Sequence, residues 1–450
     1  MGKNGQNLLI SLCQVIGDLI LVNISVVAAF LIRFHGDIPF ANFSPYLKIL
    51  PYISITALIL FNFYGLYHTE KKSWSEIMAS LIASVSILAL CTIALSYMFQ
   101  GFSFPRSVLL IAPLIQLIVL CIWRYLMFSF EKKYIPKKKA IIIAPEKNLK
   151  LLLSNVVKSN FEVVGIISDA AEEAACSCDV SVDFSSTKDA FLKSEKLDAV
   201  IMSGAVPEEI KEWVAKEALK NRWQVFVVPD LYEIMVAQSR FDQIQDTPVF
   251  EISLTRNSGR EQVKRIIDVV VAGAALLILL PVMLLIALAI KIDSPGPVFY
   301  VQERVSIGGK RFLLYKFRTM VDNAEELTGP VLASEKDPRI TRVGRFLRAT
   351  RLDELPQLLN VIKGDMSIVG PRPERPVFVE QYIEEIPEYK YRHLMKAGIT
   401  GLAQVSGKYC TSVEDKLRYD LLYVKNYSPL LDFQIILQTL KVIFMKEKSS

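Results

Sequence analysis

Two adjacent carboxylates, Asp353 and Glu354, stand in the run Arg348-Ala-Thr-Arg-Leu-Asp-Glu-Leu-Pro-Gln-Leu-Leu-Asn360, with basic residues before them and a proline-started segment after them. That arrangement suits a carboxylate nucleophile acting on an anionic phosphate substrate. Proline is favourable at the first position of a helix, so Pro356 is expected to start one running towards Lys363, leaving both carboxylates in the preceding turn. The free N–H groups and partial positive charge of that helix start would favour an ionised Asp353 and could also bind phosphate oxygens. The plainer alternative is that Thr350 and Asp353 form a capping pair at a helix start.

Cations accompany the carboxylates. Tyr315-Lys-Phe-Arg-Thr-Met320 reads as a strand, which would put Lys316 and Arg318 on one face; a solvated strand face is the alternative. Gly364-Asp-Met-Ser-Ile-Val-Gly-Pro-Arg-Pro373 sets Arg372 between two prolines that fix the backbone, and arginine forks match phosphate oxygens; a plain surface turn is the alternative. Two carboxylates and several cations in one domain are the parts expected of phosphoryl transfer, where catalysis is chiefly positioning and charge stabilisation. A divalent metal would fit, with carboxylate and phosphate oxygens as ligands.

The rest of the chain must hold these groups in place. At 450 residues it exceeds one ordinary core and suggests about three domains. Apolar residues make up 52% and charged ones 22%, a membrane protein composition. Four apolar runs, at 8–32, 50–67, 77–99 and 108–127, approach or exceed the ~20 residues that cross a bilayer. The first lacks a small-residue cleavage site and is not read as a signal peptide. Lys3, Lys71, Lys72, Arg124, Lys132, Lys133 and Lys137 to Lys139 fall on one side of these spans, and Arg33, Lys48 and Arg106 on the other. The excess places both ends of a four-helix transmembrane domain, residues 1–134, in the cytoplasm. Asp18, mid-helix with Gln14 and Asn23, reads as a polar contact between helices, although an intramembrane carboxylate is also a functional suspect.

Short apolar strands at 140–144, 163–167, 199–202 and 224–228, alternating with helical runs (the first to Lys158), predict a Rossmann-like, doubly wound α/β domain over 135–250. Its first turn, Ala144-Pro-Glu-Lys-Asn148, lacks the glycine fingerprint for a pyrophosphate, which argues against a nicotinamide cofactor. A linker around 246–260 leads to a mixed α/β catalytic domain, 251–450. It opens with a fifth apolar run, 269–290, about 33 Å long as a helix and interrupted by Pro281. If this helix crossed the membrane, residues 293–450 would lie outside, where nucleotide-activated substrates and reduced thiols are not expected. A kinked, re-entrant helix over 266–291 is therefore predicted. The amphipathic stretch 430–444 could lie on the membrane surface or in the core.

Three histidines leave little room for histidine triads or multi-histidine metal sites. The six cysteines, including Cys176-Ser-Cys178 and Cys410, have neither zinc-ribbon nor redox spacing and read as reduced thiols. The net charge of +6 forms no long basic stripe, so nucleic acid is not an expected partner.

The order of motifs, Ser294-Pro-Gly-Pro-Val-Phe299, Gln302-Glu-Arg-Val305, Lys316-Phe-Arg-Thr-Met320, Leu352-Asp-Glu-Leu-Pro-Gln357, Gly364-Asp-Met-Ser367, Gly370-Pro-Arg-Pro373 and Gly398-Ile-Thr-Gly401, resembles the bacterial polyprenyl-phosphate sugar-1-phosphate transferases, the monotopic phosphoglycosyl transferases. The match covers about residues 262–445. The preceding helices and α/β domain are similar to the large galactose- or glucose-phosphotransferase subgroup. The resemblance implies that Asp353 attacks the β-phosphate of a UDP-sugar with Mg²⁺, for which Asp353 is also the ligand residue. UMP leaves, and undecaprenyl phosphate collects the sugar phosphate from the aspartate, initiating surface polysaccharide or exopolysaccharide assembly. It also implies that Glu354 assists as dyad partner and that Lys316, Arg318, Arg348 and Arg372 hold phosphates. The Pro281 helix is similar to the family's re-entrant anchor, and the enzyme would sit in the bacterial inner membrane with its catalytic domain on the cytoplasmic face.

Two departures touch loop geometry: Ser306 stands where the family usually has glycine, and Ala397 where it usually has proline. Two other readings compete: a membrane-bound nucleotide-sugar dehydratase, and a non-catalytic scaffold of polysaccharide machinery. No residue type ties the chain to one sugar, and a homodimer stays open.

Overall fold

The computed structural model describes residues 3–67, 73–99, 104–134, 137–157, 161–169, 181–182, 197–237, 239–252, 258–321, 337–407, 412–443 and 445. Lys71, Lys72, His68, Lys158, Cys176, Cys178 and Cys410 lie outside these. The chain divides into two compact units, Met1–Val228 and Pro229–Ser450.

The first unit opens with helices Lys3–Arg33, Phe40–Phe63, Trp74–Met98 and Arg106–Tyr134, each long and apolar enough to cross a membrane. The second starts ten residues before its apolar run because Phe40 to Ile49 continue the helix through Pro45. Inside the bundle, Asp18 pairs with Arg124, whose guanidinium also donates to Leu66 O at 2.7 Å. Asn23 Nδ2 donates to Ser54 Oγ at 3.1 Å, and Gln14 Nε2 donates to Glu131 Oε1 at 2.5 Å. Asp18 is thus a contact between helices, since a charge in hydrocarbon is retained where it is paired. Arg124 is buried in that pair and does not belong to a flanking loop; without it the basic excess on its side still holds.

Within the same unit, β1 (Lys138–Ile143), β2 (Phe161–Ile167), β3 (Ser181–Val182), β4 (Ala199–Ser203) and β5 (Gln224–Val228) form a parallel sheet in the order β3-β2-β1-β4-β5. This is the doubly wound α/β arrangement the alternation predicted. Ile141, Ile143, Val200 and Met202 face one apolar cluster, and Ala140, Ile142, Ala199 and Ile201 the other, as strands covered on both faces require.

In the second unit, part of the expected linker is a hairpin, Arg240–Ile244 with Thr247–Glu251. A helix then runs from Ser258 to Asp293 with Pro281 inside it, so the proline does not end it. One face packs on the unit: Ala272 with Leu314, Leu358, Val361 and Met366, and Met283, Ile286 and Ile290 with Phe317 and Leu347. The opposite face leaves Leu277, Ile278, Leu284, Leu285 and Leu288 exposed.

The same unit grips both ends of this helix. Near its start, Arg265 donates to Val361 O and Ile362 O, and Lys264 donates to Asp432 Oδ2 at 2.6 Å. At its end, Asp293 accepts from Val343 N at 3.0 Å. The C-terminal helix Pro429–Ile443 buries Ile435 and Val442 while Leu430 and Phe433 stay exposed, so the stretch has both a core face and an exposed apolar face.

Candidate active site

The long helix seats the elements that carry the chemistry. Asp293 and Thr341 cap helix Arg342–Thr350 by accepting from Val343 N and Gly344 N, satisfying two donors that a helix start leaves free. That helix ends at Arg351, whose φ of 56° is left-handed and sparsely populated outside glycine. The reversal delivers Leu352–Glu354 as a 3-10 turn.

Asp353 and Glu354 do precede Pro356, but the turn runs into helix Gln357–Lys363 without a break. Leu355 N donates to Leu352 O and Leu358 N to Leu355 O, so donors expected to be free are already used. The helix start therefore contributes less to the dyad than the proline suggested. The capping alternative also fails, because Thr350 is the last residue of helix Arg342–Thr350 and not the cap before a helix start; its hydroxyl donates back to Phe346 O at 2.8 Å.

Lys316 reaches the dyad from the antiparallel pair Phe299–Val305 and Arg311–Phe317. Asn360, fully buried, sets this approach by donating to Leu313 O at 2.7 Å and accepting from Tyr315 N at 3.0 Å, as a neighbouring strand would. Lys316 Nζ then lies 3.0 Å from Glu354 Oε1, and Arg372 Nη2 lies 3.1 Å from the same oxygen. Asp353 is 9% exposed, and its carboxylate accepts no hydrogen bond among the described residues.

The two carboxyls are pushed apart. Burial alone would raise Glu354, but the charges of Lys316 and Arg372 and the Lys316 hydrogen bond outweigh it and hold Glu354 well below the usual carboxylate range. Asp353 is raised, first by burial, with the Lys316 charge opposing and the Glu354 charge adding to the shift.

The remaining expected cations are placed differently. Arg348 donates from Nε to Thr319 Oγ1 at 2.9 Å, and its charge acts on Asp353. Arg318 is buried, with its guanidinium on Ser294 O, Ser294 Oγ and Pro295 O at 2.8 to 2.9 Å. It holds the turn that follows the long helix and is not hydrogen-bonded to the dyad. Arg351, unremarked in the sequence, also acts on Glu354 by charge. Its only local signal is a basic residue directly before the Leu-Asp-Glu turn.

The Arg372 loop lies against the Gly398-Ile-Thr-Gly401 motif. Strand Ser367–Val369 pairs with Gly398–Thr400, and a Cβ on Gly370 would sit 2.2 Å from Lys396 O. A Cβ on Gly398 would sit 2.1 Å from Gly370 N, so backbone approach demands both glycines.

The two departures at 306 and 397 meet here. Ser306 Oγ accepts from Ala397 N at 3.2 Å and donates to Asp365 O at 2.8 Å. A proline at 397 would have no N–H to satisfy; alanine has one, and the serine hydroxyl accepts it. Ser306 has φ −125°, open to any L-residue, so the loop is compensated and not distorted.

Among the described residues no group of three or more His, Cys, Asp or Glu could cage a metal ion. A single carboxylate that accepts no hydrogen bond among the described residues, Asp353, with the Lys316 and Arg372 cations held on its neighbour Glu354, still fits Mg²⁺, which takes few protein ligands and shares substrate phosphates.

Residues 259–446 match a family model described as bacterial sugar transferase, and residues 62–205 match one described as CoA-binding domain. Over 411 residues the chain is 30% identical to undecaprenyl-phosphate galactose phosphotransferase of Salmonella typhimurium, covering 85% of this chain and 83% of that protein. This chain belongs to the bacterial sugar transferase family, the phosphoglycosyl transferases. It is also 38% identical over 258 residues to UDP-N-acetylgalactosamine-undecaprenyl-phosphate N-acetylgalactosaminephosphotransferase of Aeromonas hydrophila, covering 56% of this chain and 60% of that protein. With UDP-glucose:undecaprenyl-phosphate glucose-1-phosphate transferase of Escherichia coli the identity is 40% over 223 residues, 48% of this chain and 47% of the relative. In these last two the chain spans about half the relative's length.

Proposed function

We propose that this chain transfers a sugar 1-phosphate from a UDP-sugar to undecaprenyl phosphate and so initiates assembly of a surface polysaccharide or exopolysaccharide. The names of its relatives support the donor and acceptor classes. The observation that carries the reading is the division of labour in the dyad: Glu354 holds both cations, while Asp353 accepts no hydrogen bond among the described residues.

In this reading an Asp353 carboxylate oxygen attacks the β-phosphorus of the donor. The new bond is Asp353 O–P; the bond from that phosphorus to the oxygen bridging to the α-phosphate breaks, and UMP leaves with that electron pair. A phosphate oxygen of undecaprenyl phosphate then attacks the same phosphorus and displaces the aspartate, giving the lipid diphosphate sugar and the free carboxylate. Lys316 and Arg372, which Glu354 keeps in place, meet the donor's phosphate oxygens, and Arg348 adds positive charge. Arg318 serves the site by holding the Ser294–Pro295 turn. Asp353 and donor phosphate oxygens would hold Mg²⁺, which when bound neutralises charge on the diphosphate.

The helix Ser258–Asp293 is re-entrant in this reading. At about 1.5 Å per residue its ends would lie on opposite faces if it crossed straight through the bilayer, yet one unit grips both. Unit and anchor therefore share the cytoplasmic face of the inner membrane, where soluble UDP-sugar is available. The test is mass spectrometry of protein quenched with UDP-sugar alone: a hexose phosphate adduct is expected on the peptide bearing Asp353 and absent from Asp353→Ala. Turnover without that adduct would refute the nucleophile.

A further inference from the structure

Three consecutive carbonyls of the loop carrying Arg372 are held from outside the loop. Arg392 Nη2 donates to Arg372 O at 2.9 Å, Arg304 Nη1 to Pro373 O at 3.2 Å, and Val305 N to Glu374 O at 3.0 Å. Pro371 and Pro373 have no N–H to offer, so the loop depends on such acceptor contacts. The Arg372 side chain is 44% exposed, so packing fixes it little and its place depends on the Glu354 pair and on its own backbone.

Among the described residues it is Arg392 that reaches the carbonyl of Arg372 itself. It is 4% exposed, with Nε and Nη2 at 2.9 and 2.7 Å from Asp420 Oδ2, and Asp420 is 2% exposed. Nη1 donates to Tyr389 Oη at 2.9 Å, and the guanidinium lies 4.8 Å from the centre of that ring. Burying two charges costs several kcal/mol per ion, which pairing must offset, and an apolar pair of the same volume is often as stable. What an apolar pair could not supply is the second N–H of Nη2, which goes to Arg372 O.

We propose that Arg392, oriented by Asp420 and Tyr389, is a positioning residue for Arg372. It fixes the backbone from which the Arg372 guanidinium meets Glu354 and the donor phosphate. This rests on the transferase reading for its catalytic consequence but not for the anchor itself.

Arg392→Lys keeps the charge for Asp420 but loses the fork that serves three partners at once. Hydrogen exchange on the full-length protein in detergent reads the anchor directly, through the amides of Val305 and Gly398, which donate to Glu374 O and Pro371 O. Both should exchange about tenfold faster in the variant, while amides of helix Pro429–Ile443 keep their rates. Unchanged exchange at both amides overturns the proposal.

The second arm is a double-mutant cycle on UMP release. Arg392→Lys should lower kcat/KM about 10- to 100-fold in the parent, the effect expected of a misplaced catalytic group. In an Arg372→Ala background it should cost less than about threefold, because the group it positions is gone. Equal losses in both backgrounds would mean that Arg392 supports the fold generally. No UMP release by the parent protein would sink the transferase reading and leave the anchor to be judged by exchange. Should Arg392→Lys not fold, Tyr389→Phe removes one of the guanidinium's partners and should move both readouts in the same direction, by about threefold; no movement in either overturns the proposal.

Discussion

Lys316→Met removes one of the two cations on Glu354 Oε1, at 3.0 Å. Two unit charges at that separation attract by about 5 kcal/mol at an effective dielectric of 20. Desolvation offsets most of this, and Arg372 still holds Glu354, so the fold should lose about 1–3 kcal/mol. The catalytic loss should be larger, about 10²- to 10³-fold in kcat, as for removal of one preorganised charge-stabilising donor. The variant should also shift the pH profile. Burial raises the Asp353 pKa and Lys316 is the first influence opposing that rise, so without Lys316 the pKa climbs further. Asp353 must be ionised to attack; the acid limb of kcat/KM for UDP-sugar therefore moves to higher pH, and the loss is greatest in acid. UMP release by detergent-purified protein across the pH range measures both effects, since kcat/KM reports the free enzyme and donor. A limb that stays in place or moves to lower pH would refute the assignment of Lys316 to the nucleophile's field.

Glu354→Gln should move the same limb the other way, because the Glu354 charge adds to the rise of Asp353; a limb at higher pH than the parent's would contradict the dyad electrostatics. Ser306→Ala strands the buried Ala397 N–H and should cost about 1–3 kcal/mol. At about 2–4 °C per kcal/mol for a unit of this size, that is visible in thermal melting, and an unchanged midpoint would reject the compensation between 306 and 397. Single cysteines at the exposed positions Gln262 and Lys291, in a cysteine-free background, should react with an impermeant thiol reagent from one face only, the cytoplasmic one; labelling from opposite faces would make the helix a span.

The four N-terminal helices, the parallel sheet and the long apolar helix were legible because each is a one-dimensional pattern of burial. Runs of ~20 apolar residues and short β-branched strands between helices carry their environment in their composition. Helix Phe40–Phe63 is the exception in its start, since its apolar pattern and its hydrogen-bonded extent do not coincide. The linker hairpin and Arg124's place inside the bundle were also hidden, because a basic residue near a helix end reads alike whether it meets headgroups or a carboxylate on another helix.

The sequence alone determined the chemical inventory of the site: an Asp-Glu pair, a lysine on a strand, an arginine between prolines and glycines where backbones touch. Local residue order and backbone stereochemistry suffice for that. Only tertiary structure decided how the inventory is used. Lys316 and Arg372 converge on one oxygen of Glu354, Arg318 turns away to the Ser294–Pro295 carbonyls, and Ser306 meets Ala397 across 91 positions of chain. These outcomes depend on distances between elements far apart in the chain, and electrostatic and hydrogen-bond energies act through space, not along the sequence.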